Sequence, residues 1–328
     1  MKFWYQSAKQ HWFKIVPLLL FSYLFRFIAR LRRLAYQQGW LGQYVCPVPV
    51  VVVGNISVGG NGKTPVVLAL VEAAKKHGFK PGVVSRGYGA KAPHYPFQVD
   101  ASSDSEHCGD EPLLIYLRSR CPVMVDPNRS RACHAILQAG VDLIICDDGM
   151  QHYALARDIE IAVIDAQRGL GNGLCLPAGP LREPASRLAR TDIVISNGEP
   201  AFSAESYILS LQASAIRKVM DDSVVQNLST VDLALAGIGN PQRFFSSLIP
   251  LGIHAIEHMA LDDHRPLTLQ QQRELFNKTL IMTEKDAIKY RHTAGTDWYY
   301  LPVDSVLPAA FYQHFFSLLQ EKTNVSRT

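Results

Sequence analysis

At 328 residues, 48% of them hydrophobic, the chain can bury a large core and divide into two domains, and it carries no low-complexity tract or internal repeat. Six scattered cysteines, with no Cys-x-x-Cys and no Cys/His ligand spacing, point to a reduced compartment and argue against a structural zinc. The net charge of +4 is uneven: no Asp or Glu precedes Glu72, while Lys2, Lys9, Lys14, Arg26, Arg30, Arg32 and Arg33 crowd the N-terminus.

That N-terminus holds eleven mostly apolar residues, Ile15 to Phe25, between Lys14 and Arg26. As a helix they span roughly 17 Å against a hydrocarbon core of roughly 30 Å, which argues against a full crossing. No small-x-small site follows, which argues against a cleaved signal peptide. Ser22, Arg26, Arg30 and Arg33 fall on one helical stripe, opposite Phe21, Leu24, Phe25 and Ile28. Such a helix suits an anionic membrane interface. The alternative is a helix packed on the protein's own core with its arginines solvated. A nucleic-acid partner has only this basic segment behind it, and its apolar filling argues against one.

Pro49 leads into Val50-Val51-Val52-Val53, a run without helical periodicity that reads as a strand buried on both faces. Beyond the glycine-rich turn, Val66 to Ala74 sets its larger apolar residues at helical spacing; Pro65 fits the first turn and Gly78 the end. Strand, glycine loop, Gly62-Lys63-Thr64 and helix together form the phosphate-binding loop of nucleoside triphosphatases and kinases, whose N–H groups point at an anion. Asn55, Ser57, Val58, Gly59, Gly60, Asn61 and Gly62 are therefore expected to line a nucleotide. Lys63 should meet its β and γ phosphates, and the Thr64 hydroxyl should ligate Mg²⁺. Ser57 stands where the strict pattern has glycine, with Gly59 and Gly60 supplying the flexibility.

Strand and helix alternate from there. Pro81 to Ser85 reads as a strand running into Arg86-Gly87-Tyr88-Gly89, whose glycines suit a loop close to a ligand. Lys91 to Cys108 lacks apolar periodicity and reads as a mobile loop. Gly109-Asp110-Glu111-Pro112 opens a helix, with Asp110 where an N-cap belongs. After a strand over 121–126 and a helix to Gln138, the strand from Val141 ends in Asp147-Asp148-Gly149. Carboxylates at a strand end after a phosphate loop are the arrangement that holds a nucleotide's Mg²⁺, although they can also merely cap a turn. Gln151 and His152 follow at the same edge.

Further strands are expected over 159–165 and 192–196, separated by a Gly- and Pro-rich stretch containing Gly179-Pro180-Leu181-Arg182-Glu183. Ser206 to Val219 alternates weakly and suggests a hairpin between two lobes. Val231 to Asn240 begins a second α/β unit whose Gly237-Ile238-Gly239 reads as a turn. Asp262-Asp263-His264 and Thr283-Glu284-Lys285-Asp286 are further candidates to reach the ligand. The fold class is α/β: a P-loop NTPase-type parallel sheet domain over 41–205, a smaller second α/β lobe with a β linker over 206–328, and an N-terminal amphipathic helix over 1–40.

Six motifs in order carry a resemblance: Val-Gly-Asn-x-x-Val-Gly-Gly-x-Gly-Lys-Thr-Pro, Ser-Arg-Gly-Tyr-Gly, Gly-Asp-Glu-Pro, Asp-Asp-Gly-x-Gln-His, Gly-Pro-Leu-Arg-Glu and Thr-Glu-Lys-Asp. The chain resembles the tetraacyldisaccharide 4′-kinases of lipid A biosynthesis in Gram-negative bacteria, from the N-terminal helix to at least Asp286. That family carries the same variant loop at Ser57. The resemblance implies ATP as phosphate donor and an acylated glucosamine disaccharide 1-phosphate as acceptor. It implies a site on the cytoplasmic face of the inner membrane, reached peripherally through the N-terminal helix, and no obligate protein partner is evident. It also implies an Asp–His dyad, here Asp110 as proton acceptor and His264 tuning it from the opposite lobe, and adds Glu183 to the Mg²⁺ side. Asp263-His264-Arg265 stands where the family usually shows Asp-His-His. The rival from another class is a membrane-associated nucleotide switch, which shares the loop, the carboxylates and the anchor but phosphorylates nothing.

Overall fold

Val50–Gly54, buried throughout as its unbroken valine run predicts, is the central strand of a parallel sheet. Leu143–Asp147 pairs with it on one side and Ile159–Asp165 on the other. Pro81–Ser85 and Val123–Val125 extend the sheet past the first neighbour, and Ile193–Asn197 and then Tyr207–Ala213 past the second, all parallel. Parallel strands bring their carboxyl ends to one edge, so Gly54, Ser85, Asp147, Asp165 and Asn197 form a single row there. Helix Lys63–Lys76 buries Val66, Val67, Leu70, Val71 and Ala74, and it ends before Gly78 at φ 85°. Near the C-terminus, Ala309–Val325 buries Phe311, Phe315 and Leu319 at four-residue spacing, one helical face.

The computed structural model describes residues 2–5, 12–262 and 265–325. The chain falls into two units: Met1–Arg86, Cys121–Ser210 and Val306–Thr328 form the first, and Gly87–Arg120 with Leu211–Ser305 the second. Both units are therefore discontinuous in sequence, unlike the split expected at 205/206. Gly87–Arg120 joins the second unit because its helix Asp110–Ser119 is tied to the segment after Thr283, through Arg118 to Glu284 and Lys285 to Glu111.

The second unit has its own parallel sheet, with Thr230–Ala236 between His254–Ala260 and Leu280–Thr283, then Trp298–Leu301. Arg217–Lys218 closes it with an antiparallel edge. Tyr290 and Trp298 fill one face of this sheet, Phe244 and Phe245 the other. Two expectations are corrected. The stretch 206–219 is no hairpin: Tyr207–Ala213 pairs with Ile193–Asn197 and Arg217–Lys218 with Trp298–Leu301. The stretch 91–108 is not structureless, since it contains strand Phe97–Val99 and helix Ser105–Cys108, capped by the Asp104 side chain.

The N-terminal helix runs from Trp12 to Gln37. Its 26 residues make it roughly 39 Å long, so length and composition alone are enough to cross a membrane, contrary to the shorter span expected. It is longer because it continues through its basic flanks. Ile15 and Ser22 are buried, and the Ser22 hydroxyl donates to the Cys175 carbonyl at 2.8 Å. Trp12, Phe13, Leu20, Phe21, Leu24, Phe27 and Ile28 are exposed, Leu20 at 75%. Ser22 thus faces the protein and the bulk of the apolar residues face outward, the reverse of a helix that buries its apolar side in its own core.

Candidate active site

At the end of Val50–Gly54 the backbone must turn sharply to start a helix, and two glycines with positive φ do this: Gly59 at 106° and Gly62 at 83°. Gly62 is the left-handed N-cap of Lys63–Lys76, and no side chain occupies the cap, so the first N–H groups of the helix stay open to an anion. A Cβ on Gly62 would lie 2.2 Å from Asn197 Nδ2, which donates to the Asn61 carbonyl at 3.1 Å. Ser57, the departure from the strict pattern, is buried and accepts from Asn61 Nδ2 at 2.8 Å. Its hydroxyl pins the loop where a glycine would leave it slack. Gln151 Nε2 donates to the Asn55 carbonyl at 3.0 Å.

The motif Gly179 to Glu183 runs beside this loop backbone to backbone. Val58 N–H donates to the Pro180 carbonyl at 2.9 Å, and Arg182 N–H to the Ile56 carbonyl at 2.7 Å. This brings the Arg182 guanidinium to Asp148 at 3.2 Å, with Lys63 Nζ on the same carboxylate at 3.5 Å. Burial by itself would raise the Asp148 carboxyl, but Lys63 and Arg182 outweigh it and hold the group below the usual carboxylate range. Asp148 takes φ 50°, a turn conformation that Asp tolerates. Asp147, almost wholly buried at 1% exposure, accepts from the Ser85 hydroxyl at 3.3 Å. Glu183 has both oxygens engaged: Gln151 Nε2 donates to Oε1 at 2.9 Å, while the Tyr153 hydroxyl donates to Oε2 and Arg187 Nε lies 3.3 Å away. Burial and the Glu183 charge push the Tyr153 phenol up to about 12.

In the second unit Asp110 is the first residue of helix Asp110–Ser119. The N-cap is Gly109 at φ 90° without a side-chain bond, so the capping explanation of Asp110 is corrected. Asp110 Oδ2 lies 3.7 Å from Lys289 Nζ, which lies 2.9 Å from Asp286 Oδ1. His264 and Asp263 lie outside the described residues, so the proposed dyad has one described member.

The family model for tetraacyldisaccharide-1-P 4′-kinase, LpxK, matches residues 15–320. The tetraacyldisaccharide 4′-kinase of Tolumonas auensis is 48% identical over 98% of this chain and 97% of its own length. That of Aeromonas salmonicida is 50% identical over 94% of this chain and 92% of its own. The chain belongs to the tetraacyldisaccharide-1-P 4′-kinase family. Its function is thereby that of a 4′-kinase of lipid A biosynthesis, and the nucleotide switch is not favoured. A crystal structure of LpxK from Aquifex aeolicus in complex with ATP superimposes with a TM-score of 0.76 at 26% identity, covering 93% of this chain and 99% of that one.

Within this family member the first unit brings together Asn55 to Thr64, Asp147, Asp148 and Glu183, all expected from sequence. Several neighbours were missed. Arg187 is buried between Glu183 and Glu160, and Arg157 holds the other Glu160 oxygen at 2.9 Å. Tyr5 donates its hydroxyl to the Val58 carbonyl at 3.4 Å, and Arg168 covers the Tyr5 ring and reaches Gly59. Arg182 and Tyr153 had a signal, since each sits beside a residue already singled out. Tyr5 and Arg168 had none, because a contact across more than fifty residues leaves no local pattern.

Proposed function

We propose that the chain moves the γ-phosphate of ATP to the 4′-hydroxyl of a tetraacylated glucosamine disaccharide 1-phosphate, at a membrane surface facing the cytoplasm. The observation that carries this is the left-handed Gly62 opening an uncapped helix N-terminus beside the Lys63–Asp148 pair. Phosphoryl transfer needs positioning and charge neutralisation more than covalent help. The backbone of Asn55 to Gly62 would cradle the β and γ phosphates, and Lys63 would turn from Asp148 towards them.

A divalent cation fits the chemistry of the donors: the Thr64 hydroxyl, Asp147 and Asp148 are hard oxygens at one sheet edge. Among the described residues no group of three or more His, Cys, Asp or Glu side chains is placed to hold a metal. That suits Mg²⁺, which keeps water and phosphate in most positions and would supply charge neutralisation when bound. Glu183 would have to give up a bond from Gln151 or Tyr153 to ligate it, so this reading gives Glu183 the supporting place.

The sugar oxygen bonds to the γ-phosphorus as the bond to the β–γ bridging oxygen breaks and ADP departs. The hydroxyl proton passes to Asp110, with His264 orienting it as the family resemblance implies. The N-terminal helix supports a peripheral anchor. Ile15, Leu18, Leu19, Ser22, Phe25, Ala29, Arg33 and Tyr36 are buried or half-buried along its whole length, and the opposite face is exposed and apolar. Labelled γ-phosphate tests the reading: the label should appear on extracted lipid. Release as inorganic phosphate with an unlabelled lipid would return the switch.

A further inference from the structure

Within the first unit, the segment 171–181 is held from two sides. On one side it pairs with the phosphate loop, through the Val58 N–H to the Pro180 carbonyl. On the other it receives Trp4, from the short helix Lys2–Tyr5. The Trp4 carbonyl accepts from the Asn172 N–H at 2.9 Å, and its indole Nε1–H donates to the Pro177 carbonyl at 3.2 Å. The residue is 7% exposed, so its ring is packed into the protein. Gly171 is shaped to this contact: at φ 59°, a Cβ there would lie 2.8 Å from both the Trp4 carbonyl oxygen and Pro180 Cγ. The segment is also closed on itself, since Asn172 Nδ2 donates to the Ala178 carbonyl at 2.9 Å.

Tyr5 touches the loop directly. Its hydroxyl donates to the Val58 carbonyl at 3.4 Å, so both backbone groups of Val58 are engaged. Arg168 lies over the Tyr5 ring at 5.7 Å, with Nη1 3.5 Å from where a Gly59 Cβ would be. The backbone of Arg168 is itself anchored at the sheet edge, its N–H donating to Asp165 Oδ1 at 2.9 Å. These contacts meet at the Val58–Gly59 end of the loop, where Gly59 at φ 106° gives the chain its freedom. Trp4 and Tyr5 lie ahead of the stretch that the family model matches, 15–320, so the family assignment supplies no role for them.

We infer that Trp4 and Tyr5 are positioning residues for the phosphate loop: they brace Val58 and Gly59 directly and through 171–181, and so tighten the hold on ATP. The inference rests on the phosphate-loop reading of Asn55 to Gly62. A loop ordered before its ligand arrives loses less entropy on binding, so the brace acts on affinity for ATP and leaves the rate of the bound complex alone. The plain alternative is that Trp4 only fastens the first residues of the chain to the protein, and that its loss costs stability alone.

The test uses the full chain in mixed micelles, with steady-state kinetics and, without lipid acceptor, equilibrium binding of a fluorescent ATP analogue. Trp4→Ala should raise KM for ATP and Kd for the analogue by about 5- to 10-fold, with kcat and KM for lipid changed less than about twofold. Trp4→Phe keeps a buried ring and loses only the Nε1–H, so its Kd should stay within about threefold of wild type. A wild-type Kd in folded Trp4→Ala, with or without a lower Tm, overturns the inference, and so does a fall in kcat as large as the rise in KM. If Trp4→Ala does not fold, Tyr5→Ala removes an exposed side chain and should raise Kd about threefold, an unchanged Kd overturning the inference. Lys63→Ala, assayed alongside, separates the two failures. Near-wild-type turnover in that variant removes the phosphate-loop reading and the inference with it, whereas an inactive Lys63→Ala beside unaltered Trp4→Ala binding removes the inference alone.

Discussion

The charged groups around Lys63 and those around Asp110 are positioned by different means. Around Lys63 the backbone does the work: a left-handed glycine starts the helix, and the 179–183 segment pairs with the loop to deliver Arg182. Around Asp110 side chains do it, through the ladder Asp110, Lys289, Asp286 and the Gly237 N–H. A backbone-built site should be sensitive to glycine conformation. A side-chain-built site should be sensitive to single charges and tolerant of local backbone strain.

The largest effect is expected on the side-chain-built side. Asp110→Asn should lower kcat by about 10² to 10⁴, with a loss of Tm that reflects its ion pair with Lys289 and not a lost cap, because Gly109 and not Asp110 occupies the cap. A drop in Tm with activity intact would make Asp110 a structural residue. Next comes Lys63→Ala, expected to lower kcat by about 10² to 10³. The fold should survive, since Arg182 remains on Asp148. Near-wild-type turnover in that folded variant would remove the phosphate-loop reading.

A glycine pair sharpens the comparison. Gly62→Ala would suffer both φ 83° and the Asn197 amide in its path. A penalty of about 1–2 kcal/mol borne by the loop should raise KM for ATP roughly tenfold. Gly78→Ala, at φ 85° but with nothing within 4 Å, should cost about 1 kcal/mol of stability and leave KM unchanged. Equal kinetic effects from both substitutions would mean that strain anywhere along Lys63–Lys76 reaches the loop, and the glycine at its mouth would lose its special place.

Sequence reading succeeded where function is written in consecutive residues. Val50–Gly54, Pro81–Ser85 and Ile159–Asp165 were legible because buried parallel strands are largely apolar runs without helical periodicity. The loop residues Asn55 to Thr64 were legible because a phosphate cradle needs glycines at fixed offsets before Lys-Thr. Lys289 was not, because a lysine three residues after an aspartate is also what any solvated helix shows. Nor was the discontinuity of the two units, since ion pairs such as Lys285 to Glu111 leave no trace along the chain. The membrane-crossing span of the N-terminal helix was read too short because charges were taken as its ends, whereas long basic side chains stay on a helix and keep their heads in water.

The smallest effect concerns His152, beside the aspartate pair. Burial first, then the charges of Arg129, Arg157, Arg32 and Arg86, lower its imidazole to about 4. Its Nε2 is buried with no hydrogen-bond partner among the described residues. Unfolded, the same histidine takes a proton near pH 6.5. Between those two values the unfolded chain binds more protons than the folded one, so stability is complete above about pH 6.5 and falls with pH down to about 4. With a discount for the ring's partial exposure, the loss at pH 5 is about 1 kcal/mol, or about 2 °C in Tm for a chain of this size. His152→Gln cannot charge and removes this loss, so the Tm gap between wild type and variant should move by that amount in the variant's favour from pH 7.5 to pH 5. A gap constant across that range would mean that the imidazole accepts its proton in the folded state as readily as in the unfolded one. It would then be a cation at the sheet edge at mildly acidic pH, available to the phosphates that Lys63 and Arg182 are placed to meet.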